Sequence, residues 1–518
     1  MRKILTNGLV LVVTVLFCLV AAEGATRLVD GLPLTSVALP ASNGGGIGLD
    51  TSAEHLDEIP RAAGVAREWF FEEPPPLPNR HAEPEEWKRA AQQSRESDTV
   101  PDGRFKSWDL YKAWNAARVG DPCANEFFAG IRGRIYVFDP PDGSGLPPFR
   151  YLPNATTPMG LVTNEFGWRG APVTFPRTAG TVRIVFVGAS TTAGPHAAPF
   201  SYPELVGHWL NMWAAAHRPD IRFEVLNAAR EGLNSTSIAA VVREEVAPTN
   251  PDLVVYYEGG NQFKLTGLAK GVVPTAARPQ PKAPEGIAAW LNRASQYSAL
   301  ARRLQALTGF KGISEGGHEL PKPDYALDWP PGLDESDPDL GHPDLPVNLG
   351  TILHDLDAIR DSLGTVGSEF ALSSFRWLVK DGMVVHPVRN RLLWDYLNVH
   401  NYPFRYRDIA RLAAFQNRVL AKYASAHGLP FIDVDGVMPF DADLYADAVH
   451  ETYPGMRLKA WVFVQQLIPV IEQRLASGAW PRAVPAMADT HPAFAAKPRE
   501  MDVDCKLPPK AASAGVSP

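Results

Sequence analysis

Cysteine is scarce in this chain, with 3 residues among 518. No Cys-x-x-Cys pair and no His-Glu-x-x-His motif occurs, so the sequence indicates no metal site and no cofactor. Cys123 and Cys505 are the two thiols outside an apolar N-terminal run. Whether they pair in an oxidising compartment stays open, because sequence cannot place them within bonding distance. Any chemistry is therefore expected to come from ordinary side chains.

Long runs of lysine or arginine are also missing, and the formal net charge of −7 is mild. Proteins that bind nucleic acid usually concentrate basic residues on one face or in one segment. We therefore predict no nucleic-acid partner. Internal repeats are absent from the sequence as well, so a repeat architecture is not indicated.

Proline is abundant, with 48 residues concentrated in segments that have the composition of loops or tails. A hydrophobic fraction of 45% and 13 tryptophans allow a substantial core, and the length exceeds that of one ordinary domain. We predict an N-terminal membrane anchor or signal peptide (1–24), a spacer (25–100), a small lead-in module (101–170), a main domain (171–477) with an insertion at about 263–346, and a disordered tail (478–518).

The N-terminus has the features of a targeting segment. Arg2 and Lys3 precede an almost uncharged apolar run over residues 4–22, close to the ~20 residues that cross a bilayer as a helix. Positive charge before the run favours export of everything that follows it, to the periplasm or the cell exterior. Residues 22–24 offer a small-x-small site, so a cleaved signal peptide and a secreted protein are the alternative. We expect Cys18, inside the run, to be buried.

A regular alternation of strands and helices begins near residue 181. Five short apolar runs predict strands, and the segments between them have helical periodicity. Ser201 and Glu204 have capping-box spacing, and Leu205, Trp209 and Trp213 fall on one helix face. This pattern predicts a three-layer α/β/α domain around a five-stranded parallel sheet. The predicted strands are 182–187, 222–226, 253–257, 369–374 and 429–434, and the predicted helices begin near 201, 237, 287, 349, 409 and 453.

Ser190 directly follows the first predicted strand, within the sequence Gly-Ala-Ser-Thr-Thr-Ala-Gly. In parallel sheets ligands bind beyond the carboxyl ends of the strands. A serine in a tight strand-to-helix turn suits a nucleophile, because its own N–H points near the developing oxyanion. An ordinary helix cap is the alternative interpretation. The pattern is not Gly-x-Ser-x-Gly, so the usual nucleophile elbow is not the template.

Asp447 and His450 follow the fifth predicted strand with Asp-x-x-His spacing. On a turn, this spacing lets the carboxylate contact the Nδ1–H of the ring and leaves Nε2 free to face a serine. A surface aspartate that caps a turn beside an unrelated histidine is the alternative. The other histidines considered, His196, His386 and His400, are expected at solvated loop positions.

Gly232 and Asn261 are candidate donors to an oxyanion. Gly232 follows the second strand, and Asn261 closes a Gly-Gly-Asn sequence after the third. A glycine N–H can approach a tetrahedral oxygen closely, and an asparagine amide is a neutral donor. Ordinary turns, in which glycine and asparagine are common, are the alternative.

Taken in order, these residues resemble the SGNH hydrolase superfamily, the broad relatives of the GDSL esterases, over about residues 160–475. The resemblance implies a flavodoxin-like α/β fold and a two-step acyl transfer. It implies the following roles: Ser190 as nucleophile, His450 as general base, Asp447 as its orienting partner, and the Ser190 N–H, the Gly232 N–H and the Asn261 side chain as the oxyanion hole.

Two further segments resemble anchored bacterial members of this superfamily. Residues 163–170 fit an Asn-x-x-Gly-aromatic-Arg-Gly lead-in, and residues 453–456 fit the helix entry after the catalytic histidine. The chain departs from the family pattern at Ala189, where the GDSL signature has Asp, and at Gln262, where Asp often follows the Asn. Neither position belongs to the proton relay, so both departures weaken a strict GDSL label more than the activity.

Three functions are compatible with these residues. The first is a serine esterase or deacylase acting on an exported or envelope substrate, which is an esterified small molecule, lipid or glycan. The second passes the acyl group to a sugar hydroxyl with the same triad, and the third is a non-catalytic envelope-binding protein on the same scaffold. We expect substrate choice to depend on the insertion at 263–346 and on the aromatic segment 375–404, whose rings either stack on sugars or pack on the core.

Overall fold

The computed structural model describes most of the main domain and several segments outside it. Cys123, Cys505, His196 and His386 lie outside the described residues, and so does most of the helix predicted near residue 287. The described residues are 2–29, 34–35, 49–82, 132–138, 146, 150–151, 153–156, 161–194, 200–265, 267–271, 294, 297–301, 303, 317–385, 390–484, 489–492 and 498–504.

The strands and helices alternate through the main domain. In chain order the strands are β1 (Arg132–Phe138), β2 (Thr181–Gly188), β3 (Arg222–Asn227), β4 (Leu253–Tyr257), β5 (Ala269–Lys270), β6 (Ala326–Leu327), β7 (Glu369–Ser373), β8 (Phe431–Ile432) and β9 (Pro498–Asp504). The α-helices are α1 (Arg2–Val29), α2 (Leu49–His55), α3 (Ser190–Ala193), α4 (Tyr202–His217), α5 (Ser235–Val241), α6 (Leu349–Gly364), α7 (Arg391–Asp395), α8 (Tyr406–Ala426), α9 (Val434–Val437) and α10 (Tyr453–Ala476).

The central sheet has five strands in the order β3-β2-β4-β7-β8, and all neighbouring pairs are parallel. β2 and β4 are buried along their whole length, as expected for strands covered on both faces. Because β3 and β4 lie on opposite sides of β2, right-handed crossovers place α4 and α5 on opposite faces of the sheet. The predicted α/β fold with a five-stranded parallel sheet is confirmed.

Helix α4 forms one face of the core together with α10. It begins with the predicted capping box between Ser201 and Glu204 and buries Leu205, Trp209 and Trp213. Trp461 of α10 packs edge-on against Trp209, with ring centroids 5.1 Å apart. The helix predicted near residue 237 begins at Ser235, and after Val241 it widens into a π-helical turn, Val242–Val246.

The N-terminal segment forms α1. Among the residues whose side chains the structure describes, no helix is long and apolar enough to cross a membrane. Cys18 is exposed on α1, so the expectation that it is buried is wrong. Glu23 accepts hydrogen bonds from the Ser298 hydroxyl and the Ala299 N–H, which joins the end of α1 to the insertion.

The described part of the predicted spacer, residues 49–82, packs on the main domain. Leu56 and Phe70 are fully buried, and the Phe70 ring contacts both Trp209 and Trp461, with centroids 5.8 and 5.6 Å away. Arg457 donates a 2.7 Å hydrogen bond from Nε to the Phe70 carbonyl. Sequence periodicity misses this attachment because a few large side chains make it.

The segment predicted as a disordered tail also contributes to the fold where the structure describes it. Trp480 is buried, and Asp489 accepts a 2.6 Å hydrogen bond from the Arg177 N–H. Strand β9 pairs antiparallel with β1 of the lead-in module. Residues 150–151 of the lead-in module are buried in irregular backbone.

The described part of the insertion is held against α8. Glu335 forms ion pairs with Arg411 and Arg418, and Asp337 pairs with Lys422. Tyr325 of the same insertion is buried, and its hydroxyl donates to Asp408 on α8. These contacts hold residues 325–337 of the insertion against α8.

Candidate active site

Ser190 begins α3, the short helix that follows β2. A Cβ at Gly188 would lie 2.3 Å from the Tyr257 carbonyl oxygen and 2.4 Å from Thr192 Oγ1, so only glycine fits where the turn starts. Gly194 ends the helix with φ +58°, in the left-handed region that glycine adopts most easily. The nucleophile candidate therefore sits in a turn whose shape depends on the glycines at its two ends.

Side chains from three separate elements hold the carbonyl groups of this turn. Arg169, the arginine of the lead-in motif, also pairs with Glu204 on α4. Because each carbonyl has its own buried donor, the turn is fixed independently of any substrate. The bonds are Lys459 Nζ to the Thr191 oxygen (2.9 Å), Asn227 Nδ2 to the Thr192 oxygen (2.8 Å) and Arg169 Nη1 to the Ala193 oxygen (3.1 Å).

Ser190, His450 and Asp447 form a hydrogen-bonded chain. Ser190 Oγ lies 2.8 Å from His450 Nε2, and His450 Nδ1 lies 2.8 Å from Asp447 Oδ2. Oδ1 of the same carboxylate accepts the N–H groups of Val449 and His450 at 2.9 and 2.8 Å. The structure therefore brings the three predicted catalytic side chains together in the order that proton transfer requires.

The electrostatics of Asp447 favour the ionised carboxylate. Burial alone would raise its pKa, but the His450 ring and the hydrogen bonds to this carboxylate offset burial and lower the pKa below its ordinary value. An ionised Asp447 accepts the Nδ1–H of His450 and leaves Nε2 as the acceptor for the Ser190 hydroxyl. This is the tautomer that a general base needs.

The candidate oxyanion donors lie at the carboxyl ends of β2, β3 and β4. The N–H of Ser190 starts a helix, where an N–H has no acceptor within its own helix. Gly232 is exposed with φ +68°, and a Cβ there would have no atom within 4 Å. Asn261 is exposed and donates one amide hydrogen to the Leu233 carbonyl at 2.8 Å, which ties it to the Gly232 loop. Within the part of the chain that the structure describes, its second amide hydrogen has no acceptor.

Glu258 is a buried acid beside this site that sequence reasoning misses. It directly follows β4, and its Oε1 accepts the N–H groups of Gly260 and Asn261 at 2.8 and 2.6 Å. Burial raises its pKa to about 7, against the opposing effects of these bonds and of His450. Glu258 therefore shapes the turn that presents Asn261. A charged residue between a buried strand and Gly-Gly-Asn is the signal that could have identified it.

The aromatic segment 375–404 belongs mostly to the core. The described rings Phe375, Trp377, Trp394 and Phe404 are buried, which favours packing over sugar stacking for these four. Tyr396 is partly exposed, and the charges of Asp447 and Glu258 add to the effect of burial in raising its pKa. Tyr396 is therefore the aromatic residue of this segment that the site influences electrostatically.

His400 lies beside Tyr396, at the end of a π-helical turn rather than in a loop. The two rings stack with their centroids 5.0 Å apart. The imidazole of His400 is exposed, as the sequence predicts for a solvated histidine.

No protein-family model matches this chain, and no curated protein matches it. Solved structures match it over about half its length. A catalytic mutant of an acetylxylan esterase from Geobacillus stearothermophilus is 14% identical and covers 55% of this chain and 94% of its own, with a TM-score of 0.31. An acetyl xylan esterase, AlAXEase, is 13% identical with coverages of 54% and 98% and a TM-score of 0.30.

A GDSL-like lipase from Bacteroides thetaiotaomicron is 13% identical and covers 56% of this chain and 88% of its own, with a TM-score of 0.27. The chain thus has distant structural matches to acetylxylan esterases and a GDSL-like lipase. At this level of likeness, the roles of individual residues depend on the geometry of this chain.

Proposed function

We propose that this protein is a serine hydrolase that cleaves carboxylic esters with Ser190, His450 and Asp447. The observation that carries the proposal is the unbroken chain from Ser190 Oγ through both ring nitrogens of His450 to Asp447, with 2.8 Å at each step. A helix cap or an incidental histidine would not require all three contacts at once. The position of the chain at the carboxyl edge of a parallel sheet supports a ligand site there.

In the first step, Ser190 Oγ attacks the ester carbonyl while His450 Nε2 accepts the hydroxyl proton. A bond forms between Oγ and the carbonyl carbon, and the carbonyl oxygen becomes an oxyanion. Collapse of this intermediate breaks the bond to the alcohol oxygen, and His450 returns the proton to the departing alcohol. Asp447 stabilises the imidazolium that exists between these two transfers.

The oxyanion is proposed to bind the N–H groups of Ser190 and Gly232 and the side-chain amide of Asn261. All three donors are neutral N–H groups. They therefore stabilise the negative oxygen without exchanging a proton with His450. Because Glu258 and Leu233 hold the Asn261 turn in place, little reorganisation is needed when charge develops.

In the second step, water replaces the alcohol. His450 takes a proton from water, the resulting hydroxyl group adds to the acyl carbon, and the acid leaves as Ser190 regains its proton. A glycan hydroxyl could take the place of water without any change in the protein groups involved. Transfer to a glycan acceptor is therefore an outcome to be measured in the same assay.

The proposed substrate class depends on the predicted targeting segment. If residues 1–24 act as an anchor or signal peptide, the domain faces an envelope or extracellular substrate, and we propose an esterified glycan, lipid or small molecule there. The export of the domain stays a prediction.

Turnover of a panel of short-chain acyl esters tests the function. Wild type is expected to release acid and alcohol, and Ser190→Ala is expected to release neither while keeping the circular dichroism spectrum of wild type. Ser374→Ala is the matched control, because Ser374 is a buried serine that directly follows β7 of the same sheet. Wild-type turnover by Ser190→Ala would exclude Ser190 as the nucleophile. An inactive wild type that binds glycan would favour the non-catalytic function, and acyl transfer to an added oligosaccharide would favour transferase activity.

A further inference from the structure

A fully buried lysine lies directly behind the nucleophile turn. The side chain of Lys459 on α10 is 0% exposed, and its Nζ donates to the Thr191 carbonyl at 2.9 Å and to Glu451 Oε2 at 2.8 Å. The ammonium also lies 4.5 Å from the ring centre of Tyr202 and 4.6 Å from that of Tyr257. Lysine is almost never fully buried unless it is paired, so this position calls for a physical explanation.

The carbonyl that Lys459 contacts is the first member of a short hydrogen-bonded series. The peptide group between Thr191 and Thr192 accepts from Lys459 at its oxygen. Its own N–H, on Thr192, donates to the Ala189 carbonyl at 3.0 Å. The peptide group between Ala189 and Ser190 then ends in the Ser190 N–H, the proposed oxyanion donor. Two peptide groups therefore connect the ammonium to the oxyanion hole.

Hydrogen bonds in series polarise one another when the surroundings are apolar. A positive charge at the Thr191 oxygen draws electron density along both peptide groups and makes the last N–H a stronger donor. This polarisation favours catalysis, because the substrate oxygen proposed to bind the Ser190 N–H becomes negative in the transition state.

We propose that Lys459 is a positioning residue for ester cleavage, which holds the nucleophile turn and strengthens the Ser190 N–H as an oxyanion donor through the Thr191 and Ala189 peptide groups. The inference rests on the proposed function, because it needs the Ser190 N–H to contact a developing oxyanion. It adds a role for a residue that lies outside the triad and touches no substrate.

Glu451 completes the arrangement. It follows His450 directly in the chain and is buried, so its ion pair with Lys459 joins the turn of the general base to the turn of the nucleophile. Burial lowers the pKa of Lys459, and the Glu451 carboxylate opposes that effect. Removing one partner alone would leave an unpaired buried charge, so the two are best changed together.

The test is the double variant Lys459→Met with Glu451→Gln, which removes both charges at nearly constant volume. We expect kcat on a short-chain ester to fall about 10-fold, less than the roughly 10²–10³-fold loss for a missing oxyanion donor, with KM within about twofold of wild type. In a trifluoromethyl ketone, Ser190 Oγ attacks the carbonyl carbon and a tetrahedral oxyanion forms. The affinity for this inhibitor should fall by the same factor as kcat/KM. A loosened fold would not produce this matched loss.

The control removes an ion pair from the other end of the same helix. Arg474 lies near the end of α10, far from Lys459 along the helix. It forms a 2.9 Å ion pair with Glu369 at the start of β7. Arg474→Met with Glu369→Gln should leave kcat and ketone affinity within about twofold of wild type. The single variant Lys459→Arg retains both the cation and Glu451. Its kcat should therefore lie much closer to the wild-type value than the kcat of the double variant.

The outcomes separate this inference from the proposed function. If wild type hydrolyses esters and the double variant keeps wild-type kcat and ketone affinity, the role of Lys459 is wrong while the triad stands. If wild type neither hydrolyses esters nor binds the ketone, the proposed function itself fails. Equal losses of kcat in the double variant and in the Arg474 control would overturn the proposed effect of Lys459 on the Ser190 N–H and indicate a general effect of α10.

Discussion

The Asp447 carboxylate uses both of its oxygens on one turn: Oδ2 contacts Nδ1 of His450 at 2.8 Å, and Oδ1 accepts the His450 N–H at 2.8 Å. His450 is thereby bound to one carboxylate through both its imidazole ring and its backbone N–H. The ring orientation is set before any substrate arrives, and Nε2 is directed to a serine 260 positions earlier in the chain.

Asp447→Asn tests this orientation. The amide keeps the shape of the side chain but can hold His450 in the tautomer that has no free Nε2 lone pair for Ser190. We expect kcat to fall on the order of 10⁴-fold, the size seen when a triad carboxylate becomes an amide, with little change in KM. Asp433→Asn, the same change in an aspartate that caps α9, keeps an acceptor for the cap and should leave kcat near the wild-type value. Near-normal activity of Asp447→Asn would remove Asp447 from the mechanism.

Asn261→Ala tests the side-chain donor of the oxyanion hole. Because the donor acts only when charge develops, kcat should fall by roughly 10²–10³-fold while KM changes little. Asn234→Ala is the matched control, since Asn234 caps α5 two residues after Gly232 and its loss should cost about 1 kcal/mol of stability. If the two variants lose equal activity, the effect of Asn261 is structural rather than catalytic.

Glu258 predicts a pH dependence of stability. Its pKa in the folded protein is about 7 against an ordinary 4.5, so the folded state binds this proton more tightly than the unfolded chain. The stabilising effect is complete below about pH 4.5 and is lost as the pH rises to 7, roughly 3 kcal/mol in all. Denaturant unfolding of wild type and Glu258→Gln across this range should therefore show the variant gaining relative stability as the pH rises. A constant difference between them would mean that Glu258 does not titrate there.

Gly188→Ala tests the close packing of the nucleophile turn. The new Cβ would lie 2.3 Å from the Tyr257 carbonyl oxygen, a contact that forces β2 and β4 apart. We expect a loss of about 1–3 kcal/mol in the free energy of unfolding, together with a fall in kcat. Gly364→Ala at the end of α6 meets no atom within 4 Å and should stabilise the protein by roughly 0.5–1 kcal/mol. Thermal unfolding of the two variants checks both signs.

The sheet could be predicted from sequence because its strands are continuous apolar runs, and β2 and β4 are buried throughout. The site could be located because its residues follow successive strands, whose carboxyl ends meet at one edge. β8 was predicted as 429–434 but spans only Phe431–Ile432, since a short edge strand has little periodicity.

Other features depend on contacts between distant parts of the chain. Glu258 and Lys459 look like ordinary charged residues in sequence, and only the structure shows that both are buried. Phe70 and Trp480 hold segments that have the composition of a linker and a tail, because one large ring can fix a segment without any repeating pattern. Such effects come from packing, which periodicity does not report.

The most direct test of the account is the location of a covalent adduct. The purified protein is treated with a fluorophosphonate, digested, and mapped by peptide mass spectrometry. We expect a single phosphonylated residue, Ser190, and loss of labelling in His450→Ala although Ser190 is intact. An adduct on another residue, or labelling of His450→Ala at the wild-type rate, would contradict it.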